Sequence, residues 1–296
     1  MFKTVFHLPL IQLGVSMKVA IIKGTNPSNM TVKALEMING NKALPLKKPV
    51  LIKPNYLNAN HPSTGITTDS RIIEGIVKFL KKYEFENIVI GEGSGFADTF
   101  EAFRVAGVDI VSKKWNIKLV DLNKDEFIEK KPLHPLNLKK VKIAKTALES
   151  SIISVPKLKP HRIAGVSLSI KNMMGAMTPK GSMHSHLSKN IVDLASIIKP
   201  DLAVVDGIIA GEGHESSGNP LIMNLVIAGT DPVAVDIVGA KIMGIPINDI
   251  KHLTFAEKKG LGTADLNKIE ILGEPIEKVR KNFKRSMLSG LLRHFG

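Results

Sequence analysis

Residues 155–186 hold the side chains of this chain that are best suited to chemistry. Four lysines and three histidines are distributed through the stretch, among apolar residues that a fold would bury. Lys157, Lys159 and Lys171 alternate with such residues, so some of their ammonium groups should face a cleft rather than open water. A cleft lined by ammonium groups attracts anions. The pattern therefore predicts an anion-binding site.

Lys171 is a candidate nucleophile or base. It follows apolar residues at positions 166, 168 and 170 and precedes two methionines, and burial in such surroundings would lower its pKa. The alternative is a structural lysine that extends its ammonium to the surface. If residues 164–173 are helical, His161 and Lys171 lie roughly 15 Å apart along the helix axis, and they would hold opposite ends of a nucleotide-sized ligand.

Three histidines and a glutamate are candidates for acid–base or metal chemistry. His184 and His186 are separated by one residue, so on an extended segment they would face the same side and could share a metal ion. His161 would act as an acid–base group. Glu212 would complete a metal or proton-transfer site with His184 or His186. The alternative is an ordinary pair of surface histidines.

The glycine-rich segment Gly91–Gly95 is the main candidate for contact with a phosphate. Glycines after a strand allow backbone N–H groups to approach a phosphate, and Gly93 and Ser94 are the candidate ligand residues here. Two features disagree with this interpretation: Phe96 replaces the usual third glycine, and the Glu92 carboxylate would repel a phosphate. Phosphate binding, a tight structural turn, and a polar or metal-binding role for Glu92 therefore stay open.

Three further charged residues can each be interpreted in two ways, as part of a site or as a structural residue. Lys180 lies in a loop with glycine and proline that could carry it over a ligand, or that could be a solvated turn. Asp206 follows an apolar run and is either a site residue or a turn cap. Asp236 lies within an apolar helical pattern, where a carboxylate needs a partner, and we expect a salt bridge or a helix-end hydrogen bond.

The elements that must position these residues alternate between strand and helix. Apolar runs such as residues 151–155 predict strands, and the apolar stripe after Asp69 predicts a helix capped by that residue. This alternation favours an α/β fold with a largely parallel or mixed sheet and helices on both faces; two lobes with a cleft between them would fit the same pattern. Residues 207–220 are predicted to form a glycine-rich loop at the carboxyl edge of the sheet, where such folds place their sites.

The sequence suggests three parts. Residues 1–16 would be an N-terminal extension, residues 17–277 the α/β domain, and residues 278–296 a basic C-terminal helix or tail that packs on the domain or docks to an acidic partner or membrane surface. Translation from Met17 would lose little of the fold. Because no segment has the roughly 20 apolar residues of a membrane span and the first sixteen residues lack signal-peptide features, we expect a cytoplasmic protein.

The composition limits the classes of ligand, partner and cofactor that we expect for this protein. The 41 basic and 27 acidic residues give a net charge of +14, which favours nucleic acid, phosphorylated metabolites, carboxylates or an acidic membrane surface. Aromatic residues make up only 5% of the chain, which makes single-stranded nucleic acid the weaker choice. The absence of cysteine excludes disulfides, thiolate zinc sites, a cysteine nucleophile and the usual protein-ligated iron–sulfur cluster. With abundant lysine and isoleucine, it also suggests a heat-adapted source.

A succession of motifs resembles the domain of unknown function 362 family, found in archaea and bacteria. The motifs include KPN at 53–55, GEGSG at 91–95, PKLKPH at 156–161, SIKNMMG at 169–175 and AGTDPVAVD at 228–236. Many members carry an appended ferredoxin-like cysteine module. Since this chain has no cysteine, an electron-transfer role would require an iron–sulfur partner.

The central segment is also similar to the nickel-pincer lactate racemases. Those enzymes use a proline–histidine pair, a lysine bonded to a pyridinium-derived nucleotide, and a later nickel-binding histidine. Pro160-His161, Lys171, and His184 or His186 match these in order, whereas residues 167–170 replace the run of glycines that precedes the racemase lysine. The resemblance implies a nucleotide-derived cofactor or a divalent metal such as nickel.

The sequence thus predicts an enzyme or ligand-binding protein with a His/Lys-rich cleft for an anionic small molecule or nucleotide-derived cofactor, with racemase-like or redox chemistry. The alternatives are a nucleic-acid-binding protein and a scaffold for an iron–sulfur electron-transfer partner. The candidate catalytic residues are His161, Lys171 and His184; the ligand-binding residues are Lys53, Asn55, Gly93, Ser94, Lys157, Lys159 and Asn172; the metal ligands are His184, His186 and Glu212.

Overall fold

The computed structural model describes residues 17–286. The strands in this range are β1 (Met17–Lys23), β2 (Val50–Pro54), β3 (Ile88–Glu92), β4 (Lys118–Asp121), β5 (Phe127–Lys130), β6 (Val141–Ala144), β7 (Ser151–Val155), β8 (Pro160–His161), β9 (Gly165–Val166), β10 (Met177–Thr178), β11 (Leu202–Glu212), β12 (Asn219–Gly229) and β13 (Ile269–Gly273). The helices are α1 (Pro27–Met37), α2 (Ser70–Lys82), α3 (Thr99–Ala106), α4 (Val108–Trp115), α5 (Lys145–Glu149), α6 (Ser169–Asn172), α7 (Leu187–Ala195), α8 (Pro232–Ile242), α9 (Lys251–Lys258) and α10 (Ile276–Val279).

An eight-stranded mixed sheet forms the centre of the molecule, in the order β13-β1-β12-β11-β7-β2-β3-β4. The run from β11 to β4 is parallel, as is the β1–β13 pair, whereas β12 is antiparallel to both of its neighbours. One apolar core lies between the sheet and α1 to α4, and the other between the sheet and α5 to α9. The α/β prediction with helices on both faces is therefore confirmed.

Local sequence explains the central elements. β2 and β7 are buried along their whole length, as expected for parallel strands covered on both faces. Asp69 caps α2 by accepting a hydrogen bond from the backbone N–H of Arg71, and Asp231 caps α8 by accepting from Val233 and Ala234. The Asp69 cap begins its helix at the predicted position, and both caps act because a side-chain oxygen satisfies N–H groups that lack partners within the helix.

The prediction of a loop over residues 207–220 is wrong. β11 and β12 form a long antiparallel hairpin that pairs Ala203 with Gly229 at one end and Glu212 with Asn219 at the other. Glycine content indicated a loop, but cross-strand pairing and close packing override it. A side chain at Gly211 would lie 2.5 Å from the carbonyl oxygen of Gly65, so this glycine lets a neighbouring loop approach the strand.

The helix considered over residues 164–173 is also shorter than expected. The chain forms the two-residue strands β8 and β9, and helix α6 begins only at Ser169. The roughly 15 Å separation of His161 and Lys171 along one helix axis therefore does not apply.

The parts predicted at the two chain ends are described only partly. Residues 1–16 and 287–296 lie outside the described residues. Residues 280–286 are not helical; they pass along the hairpin, where the backbone N–H of Gly213 donates to Lys284. No helix within residues 17–286 has both the length and the apolar character needed to cross a membrane.

A fully buried ion pair joins three elements at the carboxyl edge of the sheet. Lys157 Nζ lies 2.7 Å from Asp206 Oδ2, and both side chains are inaccessible to solvent. Asp206 also accepts hydrogen bonds from the backbone N–H groups of Asp69, which caps α2, and of Ile208. The pair therefore holds the segment after β7 to β11 and to the start of α2.

We predict that Lys157→Met lowers the free energy of unfolding by about 3–5 kcal/mol, because the Asp206 carboxylate would stay buried without its ammonium partner. Urea denaturation followed by circular dichroism measures this change. The exposed Lys47 supplies the matched control, since Lys47→Met should change stability by less than about 0.5 kcal/mol. Equal stability of the two variants would contradict the structural role of the pair.

Candidate active site

A cavity of about 440 Å³ opens beyond the carboxyl ends of β2 and β3. Its charged lining consists of Lys53, Lys159, Lys171, Lys180 and Arg162 against Glu92 and Glu215. Cations thus outnumber carboxylates. The volume falls within the range of small-molecule sites, roughly 300–1,000 Å³.

The floor of the cavity is a buried polar network. Lys53 Nζ donates to Glu92 Oε1 at 2.8 Å and to Asn172 Oδ1 at 3.1 Å. Asn172 Nδ2 donates in turn to the Lys53 carbonyl and to Ser154 Oγ. The network ties β2, β3 and β7 to α6, and desolvation lowers the pKa of Lys53 although Glu92 opposes the shift.

Lys171 projects into the cavity from α6, which Asp236 holds in place. The Asp236 carboxylate accepts the backbone N–H groups of Ser169 and Ile170 at 2.7 and 3.1 Å. The predicted helix-end hydrogen bond of Asp236 is confirmed, and burial raises the pKa of this carboxyl group to about 7. The carboxylate thereby fixes the first turn of the helix that carries Lys171 and Asn172.

Within residues 17–286, the Lys171 ammonium has neither a hydrogen bond nor an ion pair, in contrast to the other cavity lysines. Burial lowers the pKa of Lys171 to about 8; the charge of Glu215 raises it, and that of Lys53 lowers it further. At neutral pH the cavity therefore contains a cation without a partner of opposite charge.

Lys159 enters the cavity beside Lys171 and is already hydrogen bonded. Its Nζ donates to the carbonyl oxygens of Ile66 and Glu215 at 2.8 and 3.1 Å. Burial, together with the charges of Lys171 and Lys157, lowers the pKa of Lys159 to about 7. These two hydrogen bonds keep the Lys159 amine directed toward the loops that form the wall of the cavity.

His161 is held as a neutral imidazole with a defined tautomer. Nδ1 accepts hydrogen bonds from the backbone N–H groups of Ile163 and Ala164 at 3.2 and 3.1 Å, so the ring proton lies on Nε2. Nε2 faces Glu215 Oε1 at 3.6 Å. Burial and the charges of Lys171 and Lys159 lower the pKa of His161 well below its usual value. The ring therefore presents an N–H donor rather than a basic nitrogen.

The structure brings most of the predicted ligand-binding residues together. The predicted residues that line the cavity are Lys53, Asn55, Gly93, Lys159, His161, Lys171, Asn172 and His184. Lys157 and Ser94 do not line it. Lys157 faces Asp206 instead, in an ion pair that is inaccessible to solvent.

The predicted metal ligands do not converge. Residues 180–186 form a 3-10 helix rather than an extended segment, so His184 and His186 diverge, and only His184 lines the cavity. Glu212 accepts a hydrogen bond from the backbone N–H of Lys284. Across residues 17–286, no group of three histidine, aspartate or glutamate side chains is arranged to hold a metal ion. The predicted ligands His184, His186 and Glu212 therefore do not form a site for the nickel that the racemase resemblance implies.

Sequence reasoning missed the residues at the tip of the β11–β12 hairpin and the arginine beside it. Glu215 and His214 line the cavity, and Arg162 Nε lies 3.2 Å from Glu215 Oε1. The signal that could have found Glu215 is an acidic residue in the turn that follows a strand at the carboxyl edge of the sheet. The sequence does not distinguish Glu215 from Glu212, because the hairpin register that decides which glutamate reaches the tip is not visible in it.

Two further features favour a ligand. Asn55 Oδ1 and Tyr56 Oη belong to residues that line the cavity, and both atoms are buried without a hydrogen-bond partner among the described residues. The mouth is apolar, with Phe96 79% exposed beside Leu57 and Met174. Unsatisfied buried polar atoms are uncommon in folded proteins and require an explanation, and a bound polar molecule would supply one.

Comparison with known proteins agrees with the motifs. Residues 50–241 match a family model described as "Domain of unknown function (DUF362)". A thylakoid-associated protein of Synechocystis sp., sll1697, is 24% identical over 246 residues, which cover 79% of this chain and 75% of that protein.

We predict that Lys171 reacts faster than exposed lysines with an amine-acylating reagent between pH 7 and 9. Its amine becomes half deprotonated at about pH 8, whereas an ordinary exposed lysine titrates near about 10.4. Peptide mapping by mass spectrometry after brief acetylation gives the rate at each lysine against pH. A Lys171 profile identical to that of exposed Lys47 would contradict the lowered pKa.

Proposed function

The chain belongs to the domain of unknown function 362 (DUF362) family, and we propose that it binds a small molecule bearing a carboxylate or phosphate in this cavity and transfers protons on it. The observation that carries the proposal is the unpaired Lys171 ammonium in a cavity where cations outnumber carboxylates. A desolvated charge without a partner is unfavourable. An anionic ligand would supply that partner.

The cavity groups support a division of roles. Lys171 titrates at about pH 8, so it can give or take a proton near neutral pH, as an acid–base catalyst must. His161 donates a hydrogen bond from Nε2 and stabilises negative charge that develops on a ligand oxygen, because its Nδ1 is already occupied by two backbone N–H groups. His161 is therefore an oxyanion-stabilising donor in this proposal rather than a base.

The reaction class that follows is proton transfer at a carbon next to an electron-withdrawing group, as in an isomerase or racemase. A nucleotide-derived cofactor of the kind that the racemase resemblance implies would place its phosphate near Lys159 or Lys171. The apolar mouth at Phe96 suits an uncharged ring or chain on the same molecule. Cytoplasmic localisation, nucleic-acid binding and a scaffold role stay predictions.

We predict that inorganic phosphate, lactate or adenosine monophosphate stabilises the protein against thermal unfolding, and that at least one of them binds measurably by calorimetry. Lys171→Met should weaken that binding about tenfold or more, since it removes one charge-assisted contact, worth roughly 1.5–3 kcal/mol. Lys47→Met should leave it unchanged.

The pH dependence is part of the same prediction. Lys159 and Lys171 lose their charges at about pH 7 and 8, so anion affinity should be highest below pH 7 and fall between pH 7 and 9. Affinity that is independent of pH, or equal in Lys171→Met and wild type, would contradict the proposal. Binding of long nucleic acid with a steep salt dependence and no effect of Lys171→Met would favour the nucleic-acid alternative instead.

A further inference from the structure

Lys171 is positioned for covalent chemistry as well as for ion pairing. Its helix is fixed at the first turn by Asp236. The next residue, Asn172, is fixed by hydrogen bonds with Lys53, Asn55 and Ser154. The backbone that carries the amine is therefore held from both sides, while the amine itself has no hydrogen bond or ion pair within residues 17–286.

The other lysines of the cavity differ in this respect. Lys53 donates to Glu92, Asn172 and the Pro54 carbonyl. Lys159 donates to two carbonyl oxygens, and Lys180 donates to Asn123 Oδ1. An amine that donates hydrogen bonds in a fixed geometry must break them before its lone pair can attack a ligand. Among the described cavity lysines, Lys171 alone needs no such step.

We propose that Lys171 forms an imine with the carbonyl group of a 2-oxo acid whose carboxylate is held by the neighbouring cations. This inference rests on the proposed function, because it uses the same anion-binding cavity. The two halves of a 2-oxo acid match two halves of the site: the carbonyl carbon requires a nucleophilic amine, and the adjacent carboxylate requires cations that stay charged.

The surroundings of Lys171, whose side chain is only partly exposed, support the nucleophilic role. With a pKa of about 8, roughly a tenth of its amine is deprotonated at pH 7, far more than for an ordinary lysine that titrates near about 10.4. Lysine nucleophiles that form imines are commonly activated by desolvation and a neighbouring cation. Lys53 is the neighbouring cation here.

The step balances without an oxidant or a reductant. The lone pair of the neutral Lys171 amine forms the C–N bond, and the carbonyl π electrons move to the oxygen, where the Nε2–H of His161 donates a hydrogen bond. Glu215, whose charge acts on Lys171, carries the two nitrogen protons in turn to that oxygen. The oxygen leaves as water, and the products are one imine and one water molecule.

The choice of a 2-oxo acid over a neutral aldehyde or ketone follows from the remaining charge. Imine formation consumes the free Lys171 amine but leaves Lys180 and Arg162 in the cavity lining. A carbonyl compound without a carboxylate would add no negative charge to a cavity in which cations outnumber carboxylates. A carboxylate next to the carbonyl carbon would bring an anion within reach of the cations that surround Lys171.

Reductive trapping tests the proposal. The full chain is incubated at pH 8 with pyruvate and sodium cyanoborohydride, which reduces an imine to a stable secondary amine, and the product is analysed by intact mass and peptide mapping. We expect one equivalent of pyruvate attached at Lys171. Acetone, a neutral ketone of similar size, should attach at about one tenth of the pyruvate rate or below.

Variants and site mapping keep the result interpretable. Lys171→Arg should abolish the single-equivalent labelling while it preserves the positive charge, and Lys47→Arg should label like the wild type. Thermal unfolding checks that both variants fold, and the mapped position in the wild-type protein does not depend on any variant. Labelling spread evenly over surface lysines, labelling at Lys159, or unchanged labelling of Lys171→Arg would overturn the proposal.

Binding without trapping separates this inference from the proposed function. Calorimetry with pyruvate in the absence of hydride measures the anion site alone. If pyruvate binds but is not trapped, the imine is refuted and the anion site stands. If pyruvate, phosphate, lactate and adenosine monophosphate all fail to bind, both proposals are refuted.

Discussion

The buried ion pair between Lys53 and Glu92 is the interaction on which the candidate site depends. The two side chains come from adjacent parallel strands and are almost wholly removed from solvent. Removing two charges from water is unfavourable unless further hydrogen bonds complete the set. Here Asn172 accepts from Lys53, and Glu92 also accepts from the backbone N–H groups of Tyr56 and Gly93. The pair thus fixes the helix that carries Lys171 and occupies one of the two glutamates of the cavity.

The same pair decides between the alternatives for the glycine-rich loop. A side chain at Gly93 would collide with the carbonyl oxygen of Gly175, and one at Gly175 would collide with the Glu92 carboxylate. These glycines let two loops meet at the ion pair, and the Gly93 N–H that a phosphate would need already donates to Glu92. The glycine-rich segment 91–95 therefore packs at the Lys53–Glu92 pair. Of the three interpretations of this segment, the geometry favours a polar role for Glu92.

The sequence allowed prediction of elements that depend on local patterns, and it failed where distant contacts decide. The α2 cap at Asp69 and the buried strand at 151–155 were predictable because capping and apolar runs are local signals. Lys157 and Lys159 could not be told apart, because the carboxylate that pairs with Lys157 lies 49 residues away. Glu215 was missed because the hairpin register places it at the cavity.

The charges of the cavity also link ligand binding to protonation. Lys159 and Lys171 have lowered pKa values because both are desolvated and each lies near other cations. A bound anion opposes both causes, since it adds a negative charge beside each amine, and the two pKa values should rise. Anion binding and proton uptake must then favour each other by the same free energy. Imine formation at Lys171 has the opposite dependence on protonation, because it requires the deprotonated amine. Lys159 also deprotonates near neutral pH, but its amine donates hydrogen bonds to the Ile66 and Glu215 carbonyl oxygens. The Lys171 amine has no such bonds to break before it attacks a carbonyl carbon.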